Sequence, residues 1–199
     1  MGSFLIVIMG IWLLLFVLKM SEIEPFNKNI ANPKGGPTGF FHPSVNYLEA
    51  DISAWADEFE LDPLLVATVI QIETCGNSNA VSPVGAVGLF QVMPYHFLPG
   101  DDPLDPQINA QRGLDYLRQS FIKSNGDIRT TLVGYNGGHG QITREPESWP
   151  DETKRYVHWG SGIYQDARDN NSVGEALLAW LDAGGWQLCE DANIELGLH

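Results

Sequence analysis

Residues 63–94 read PLLVATVIQIETCGNSNAVSPVGAVGLFQVMP, an almost wholly apolar segment followed by a stretch rich in glycine and proline. Asp62 and Pro63 are residue types that favour the N-cap and the first position of a helix. The segment from Pro63 to about Thr74 has apolar residues on nearly every face, which predicts a buried helix. Cys75-Gly76 is expected to end it, because glycine favours helix termination. The sequence therefore predicts a buried helix that leads into a long loop.

Glu73 is the one charged residue in this apolar segment and lies in the last turn of the predicted helix. Burial disfavours an ionised carboxylate, and so does the negative end of the helix dipole, so the pKa is expected to be raised. A carboxyl group that keeps its proton at neutral pH is suited to general acid catalysis. Position alone favours the alternative, a solvated glutamate at a fraying helix end.

Helical periodicity continues through most of the chain from about Ser44 onward. The apolar residues recur at spacings of four and three on one helix face, at Leu48, Ile52, Trp55 and Phe59. Further helices are predicted over Ile108–Lys123, from Asp127 to about Tyr135, from Asp151 onward and over Val173–Leu181, with a short helix at Leu89–Met93. No stretch shows convincing alternation of the kind typical of a strand, so the predicted fold class is all-α, mainly helical, and a minor β segment in the glycine-rich middle stays open as an alternative.

The N-terminal 20 residues contain an uncharged run from Phe4 to Leu18. As a helix this run would be roughly 22 Å long, and its flanks, with Lys19 at the interface, bring it close to the thickness of a bilayer core. A cleaved signal peptide is the alternative, but no A-x-A site follows and no cysteine is present for lipidation, which favours an anchor. The predicted organisation is a signal anchor or signal peptide over residues 1–20, a linker rich in proline and glycine over 21–43, a folded domain over 44–165 and a C-terminal helical extension over 166–199.

The chain is strongly acidic, with 11 Lys and Arg against 25 Asp and Glu and a formal net charge of −14. Nucleic-acid binding depends on basic residues that neutralise phosphates, so this composition argues against a nucleic-acid partner and against docking on an anionic membrane surface. The histidines are scattered, and Cys75 and Cys189 lack a metal-binding spacing, so neither a metal nor a cofactor is predicted. Outside the cytoplasm Cys75 and Cys189 could form a disulfide, and two buried thiols are the alternative.

Four ordered motifs begin at Glu73. They are ET at residues 73–74 with SPVGAVGLFQVMP at 82–94, DPQIN at 105–109 with Gly113 and Tyr116-Leu117, YNGG at 135–138, and ETKRYV at 152–157. Together they resemble the lytic transglycosylase family, whose catalytic domain has a goose-type-lysozyme-like fold, over about Asn46 to Gly160. The chain departs from the family pattern at Thr74, where the family has serine, and at Phe90, where it has methionine.

The resemblance implies a lysozyme-like catalytic domain in which Glu73 is the single catalytic acid and base. The residues implied to bind the sugar chain are Thr74, Ser82, Gln91, Tyr135, Asn136 and Tyr156. Structural alternatives stay open for three of them: a capping amide for Gln91, a turn residue for Asn136 and a core side chain for Tyr156.

The reaction that the resemblance implies is cleavage of the β-1,4 bond between N-acetylmuramic acid and N-acetylglucosamine in peptidoglycan, with formation of 1,6-anhydromuramic acid ends. Most glycosidases use two carboxylates, and no second one in the four motifs can be assigned to catalysis, which fits a reaction served by Glu73 alone. A hydrolytic lysozyme and a non-catalytic peptidoglycan-binding module are the alternatives. The expected location is the extracytoplasmic side of the inner membrane in a bacterial envelope. The expected partners are peptidoglycan strands, the membrane through the N-terminal helix, and an envelope complex through the C-terminal extension.

Overall fold

Helices form most of the described part of the chain. The structure is a computed structural model that describes residues 39–169 and 174–198. Its α-helices are α1 (Pro43–Asn46), α2 (Glu49–Glu58), α3 (Pro63–Glu73), α4 (Pro106–Lys123), α5 (Ile128–Gly137), α6 (Asp151–Arg168), α7 (Glu175–Trp180) and α8 (Trp186–Leu196), with short 3-10 helices at Pro94–His96, His139–Gln141 and Pro146–Ser148. The mainly helical fold class is confirmed, whereas the predicted N-terminal hydrophobic helix lies outside the described residues.

The helix α3 is buried, as its sequence predicts. Every residue from Pro63 to Gln71 is buried. The Asp62 side chain accepts a hydrogen bond from Leu64 N at 2.9 Å and so caps the helix. Because α3 packs against both α2 and α6, its direction is held by the core on several faces. The same packing fixes the position of Glu73, which is the last residue of α3.

The helix α5 packs against both α4 and α6. The approach of α5 to α6 depends on a glycine, because a Cβ at Gly160 would lie 3.0 Å from Leu132 Cδ1. Since α6 also packs against α3, the last residues of α3 and α5 and the first turn of α6 reach a common region. Glu73, Asn136 and Glu152 come from these helix ends and line one cleft.

The short helix predicted at Leu89–Met93 is wrong. This stretch forms turns, and isolated bridges pair Val87 with Val81 and with Val92. The backbone has positive φ values of 73° at Gly88 and 46° at Gln91, which a right-handed helix does not accommodate. The pattern of apolar residues suggested a helix, but the backbone turns twice within a few residues.

The packed domain extends beyond residues 44–165 at both ends. Phe41, inside the predicted linker 21–43, is 3% exposed and belongs to the core. At the other end α6 continues to Arg168, so the predicted boundary falls within a helix. The helical pattern from Ser44 onward is divided between α1 and α2.

Residues 174–198 form helices that pack on the domain. The last predicted helix, Val173–Leu181, corresponds to the shorter α7, and a π-helical turn at Leu181–Gly185 joins it to α8, which was not predicted. Gly184 has a φ of 120°, a backbone conformation that side chains rarely allow. The helix α7 packs against α6, and a disulfide joins Cys189 of α8 to Cys75. The described part of the extension is therefore integral to the domain.

Within the described residues, none of the helices has both the length and the apolar character needed to cross a membrane. The predicted anchor or signal peptide at residues 1–20 lies outside the described residues, as does the predicted linker up to residue 38.

Candidate active site

One cleft of about 430 Å³ is enclosed by helix ends and by the loop between α3 and α4. Glu73 comes from the end of α3, Tyr135 and Asn136 come from the end of α5, and Glu152 comes from the start of α6. The other residues that line it are Ser82, Val84, Ala86, Gln91, Val92, Met93, Tyr95, His96, Arg112, Gly113, Tyr116, Gly137 and Gly138. The volume and the mixture of aromatic and polar groups suit a small ligand or a segment of a polymer.

Glu73 has the protonation behaviour of a general acid. Its side chain is partly buried, and desolvation raises its pKa from 4.5 to about 8. The Tyr156 hydroxyl opposes this shift because it stabilises the ionised carboxylate, and the negative charge of Glu152 adds to it. The carboxyl group therefore holds its proton at neutral pH, which confirms the direction of the pKa shift predicted from burial.

Two tyrosines lie beside Glu73, with ring centroids 6.5 Å apart. Tyr135 Oη donates a hydrogen bond to Phe90 O at 2.7 Å, which ties α5 to the loop. Tyr156 Oη is buried and has no partner in good hydrogen-bond geometry among the described residues, yet it is close enough to Glu73 for each group to shift the pKa of the other. Burial raises the pKa of both tyrosines well above the ordinary value, so both hydroxyls remain proton donors.

Asn109 of α4 holds the loop that carries Gln91. Its side chain is fully buried, accepts a hydrogen bond from Phe90 N at 2.9 Å, and donates to Val87 O at 2.8 Å and to Pro103 O at 3.0 Å. Gly88 makes this contact possible, because a Cβ there would lie 2.3 Å from Asn109 Nδ2. The DPQIN motif therefore affects the cleft indirectly, because its Asn109 fixes the loop that forms part of the cleft wall.

Replacing Asn109 by alanine is expected to lower the free energy of unfolding by about 2–4 kcal/mol, because the buried Phe90 N–H loses its acceptor and a cavity remains. Urea denaturation followed by tryptophan fluorescence measures the change. The matched control is Gln111→Ala, an exposed amide on the same helix, which is expected to change the free energy by less than about 0.5 kcal/mol. Equal denaturation midpoints for the two variants would contradict the assigned role of Asn109.

Glu152 lines the same cleft as Glu73 and was not among the predicted site residues. Its carboxylate is exposed, and its charge helps to raise the pKa of Glu73. A sequence signal for it existed: Glu152 opens the ETKRYV motif and precedes Tyr156 by four residues, which places both on one helix face. The cleft therefore contains a second carboxylate.

Residues 51–157 match the family described as "Transglycosylase SLT domain". The chain belongs to this transglycosylase family. The matched residues span more than half of the chain and contain all four motifs. The predicted family membership is confirmed.

Two curated proteins have sequences similar to the SLT domain of this chain. The transglycosylase of Enterobacteria phage PRD1 is 38% identical over 107 residues, which are 53% of this chain and 38% of the phage protein. The membrane-bound lytic murein transglycosylase E of Buchnera aphidicola subsp. Baizongia pistaciae (strain Bp) is 29% identical over 113 residues, which are 47% of this chain and 53% of that protein. This chain thus spans between 38% and 53% of the length of these curated relatives.

The fold is also found in a solved structure. The X-ray structure of an inactive mutant of the lytic transglycosylase Slt from Pseudomonas aeruginosa superimposes with a TM-score of 0.51 and 22% sequence identity. The match covers 61% of this chain and 24% of the Slt chain. At this identity the similarity concerns the fold, and it agrees with the predicted lysozyme-like architecture of the SLT domain.

The SLT domain brings four of the predicted sugar-binding residues into the cleft: Ser82, Gln91, Tyr135 and Asn136. Gln91 also has the capping role that the sequence left open, since its Nε2 donates to Gly88 O at 3.1 Å and to Ala80 O at 3.3 Å. Its amide therefore stabilises the loop from within the cleft.

Thr74 requires a correction. Its side chain is 1% exposed and does not line the cleft. The hydroxyl donates to Leu89 O at 3.0 Å and accepts from Gly76 N at 3.3 Å. The residue therefore ties the start of the loop to Leu89 in its middle and is not placed to bind a sugar.

The disulfide between Cys75 and Cys189 is formed. His42 lies close to both sulfur atoms and is the third member of the one cluster of possible metal ligands found in the described residues. Sulfur atoms bonded to each other are not thiolates, so this cluster does not have the donors of a zinc site. The bond places a covalent link two residues after Glu73.

Proposed function

We propose that this chain is a lytic transglycosylase that cleaves the β-1,4 bond between N-acetylmuramic acid and N-acetylglucosamine in peptidoglycan and leaves 1,6-anhydromuramic acid ends. The observation that carries the proposal is that the Glu73 carboxyl group lines the cleft and has a pKa of about 8. Membership of the SLT family and the similarity to proteins named as transglycosylases support it.

In the proposed mechanism Glu73 acts first as an acid and then as a base. It donates its proton to the glycosidic oxygen as the bond from that oxygen to C1 breaks, so that the N-acetylglucosamine side of the strand leaves as a hydroxyl end. The N-acetyl group of the muramic acid stabilises the developing positive charge at C1. Glu73 is then ionised, and the nearby Tyr156 hydroxyl stabilises that form. The carboxylate next accepts the proton of the C6 hydroxyl as the C6 oxygen bonds to C1, which restores the acid without consuming water.

The second candidate is hydrolysis by a lysozyme-like mechanism, and Glu152 is the observation that favours it. Most glycosidases that use a water molecule have a second carboxylate beside the scissile bond, as a base or a nucleophile. Glu152 lines the cleft and is exposed, so it could act as the base. In the transglycosylase mechanism the negative charge of the same residue only helps to keep Glu73 protonated.

Product analysis distinguishes the two reactions. Purified sacculi digested with the full chain are expected to release fragments with 1,6-anhydromuramic acid ends, which are lighter than reducing ends by one water in a mass spectrum. The Glu152→Gln variant is expected to give the same anhydro products at a lower rate. Hydrated ends from the wild-type protein, lost in Glu152→Gln, would contradict the transglycosylase mechanism and support the lysozyme.

The proposed location is the extracytoplasmic side of a bacterial inner membrane. It is supported by the uncharged run from Phe4 to Leu18, which favours a membrane anchor, and by the name of the Buchnera relative, which describes that protein as membrane-bound. A partner for the C-terminal extension also remains a proposal. It is supported by three large apolar side chains on α8 that stay exposed, Trp186, Leu188 and Ile194.

A further inference from the structure

Tyr95 is an exposed aromatic residue at the edge of the candidate active site. It lies in the 3-10 helix Pro94–His96 and lines the same cleft as Glu73. Its side chain is 75% exposed, and none of the described groups forms a hydrogen bond with its hydroxyl. Isolated exposed aromatics are common on protein surfaces, so the surroundings of Tyr95 decide whether it has a role.

Those surroundings form an aromatic row that leads into the cleft, composed of Tyr95, His96, Tyr116 and Tyr135. The ring centroids are 4.6 Å apart between Tyr95 and His96, 4.7 Å between His96 and Tyr116, and 6.0 Å between Tyr116 and Tyr135. Tyr135 is in turn near Tyr156 and Glu73. The row therefore runs from the candidate acid to the exposed ring of Tyr95.

The row is held in place by other contacts. Tyr116 stacks on His139 with centroids 4.4 Å apart and planes at 15°, and His139 Nε2 lies 3.0 Å from Ser120 Oγ. Pro94 at the first position and a hydrogen bond from His96 N to Met93 O stabilise the turn that carries Tyr95. Because its supports are fixed before any ligand binds, Tyr95 can offer its face at a low cost in conformational entropy.

Resting on the function proposed above, we propose that Tyr95 is a saccharide-binding residue that stacks on a pyranose ring of the glycan strand beyond the sugars next to the scissile bond. One face of a β-linked pyranose presents axial C–H groups, and these pack favourably on the electron-rich face of an aromatic ring. The Tyr95 hydroxyl can hydrogen-bond to a sugar hydroxyl at the same time. Tyr95 thereby favours long strands over short fragments.

The test measures the binding of N-acetylglucosamine oligomers to the full-length chain by titration calorimetry, in a Glu73→Gln background that prevents turnover. Adding Tyr95→Ala is expected to weaken hexasaccharide binding by roughly three- to tenfold, the range of one aromatic stacking contact, and to leave disaccharide binding unchanged. Tyr95→Phe is expected to retain most of the affinity for the hexasaccharide, because it keeps the ring.

The matched control is Tyr47→Ala, since Tyr47 is also exposed, at 62%, and does not line the cleft. It is expected to leave the binding of both oligomers unchanged. Equal hexasaccharide affinity with and without Tyr95→Ala would overturn the role of Tyr95. The role of Tyr95 would also be overturned if the Glu73→Gln chain bound no oligomer although the wild-type chain digested sacculi. This second result would leave the proposed function intact. Binding that depends on Tyr95 in a chain that releases nothing from sacculi would instead overturn the proposed function and retain the saccharide site.

Discussion

Replacing Glu73 by glutamine is expected to lower the rate of peptidoglycan cleavage by about two to four orders of magnitude, the contribution that a positioned general acid and base makes. Glutamine keeps the size of the side chain but has no acidic proton to donate to the glycosidic oxygen. The release of soluble fragments from sacculi measures the rate. The matched control is Glu58→Gln, an exposed glutamate on α2, which is expected to leave the rate unchanged.

The pH dependence of the wild-type rate provides a second measurement of the same residue. Because the reaction begins with protonated Glu73, whose pKa is about 8, the rate is expected to fall as the pH rises through about 8. A rate that stays level to pH 10 would contradict the role of Glu73 as the acid, as would a Glu73→Gln variant with nearly wild-type activity.

Glu73→Gln is expected to lower the cleavage rate but to increase the stability of the folded chain. Between pH 4.5 and about 8 the unfolded chain has lost the Glu73 proton while the folded chain keeps it, so the folded state binds more protons and the free energy of unfolding falls as the pH rises. This contribution to stability is complete below pH 4.5 and is lost by about pH 8. Glu73→Gln removes the effect and is expected to stabilise the chain at pH 8, relative to pH 4, by about 1–3 kcal/mol. Denaturation curves at the two pH values measure it, and a gain that does not depend on pH would contradict the raised pKa.

Removing the disulfide by the double substitution Cys75→Ser and Cys189→Ser is expected to lower the free energy of unfolding by about 2–4 kcal/mol. The bond joins residues 114 positions apart, so it restricts the unfolded chain strongly. For a domain of this size the melting temperature is expected to fall by roughly 5–15 °C, which calorimetry measures.

The disulfide also bears on the candidate site. Gln71 Nε2 lies 3.0 Å from Cys75 Sγ and 3.5 Å from Cys189 Sγ, and Ser44 Oγ donates to Cys75 O, so the end of α3 is held beside the bond. Loss of the bond is therefore expected to reduce the cleavage rate as well as the melting temperature.

Reductant provides the matched control for the disulfide. It is expected to lower the melting temperature of the wild-type chain to that of the double-serine variant, and to leave the variant unchanged. A wild-type melting temperature that is insensitive to reductant, when titration shows that both thiols have been released, would contradict a stabilising role.

Local patterns predicted those parts of the protein in which one segment determines its own structure. The N-cap Asp62 and the apolar faces of α3 predicted a buried helix ending at Glu73, and burial predicted the direction of its pKa shift. Local patterning failed at Leu89–Met93, because the contacts of Asn109 with the loop come from a helix far away in the sequence.

The sequence by itself determined the helical class, the family and the identity of the candidate acid, since these depend on residue types and on spacings along the chain. The tertiary structure decided which side chains share the cleft with Glu73. It added Glu152 and Tyr95, turned Thr74 inward and joined Cys75 to Cys189. The physical reason is that each of these facts depends on how separate helices pack against one another, and burial and packing across long sequence separations are not encoded in any single segment.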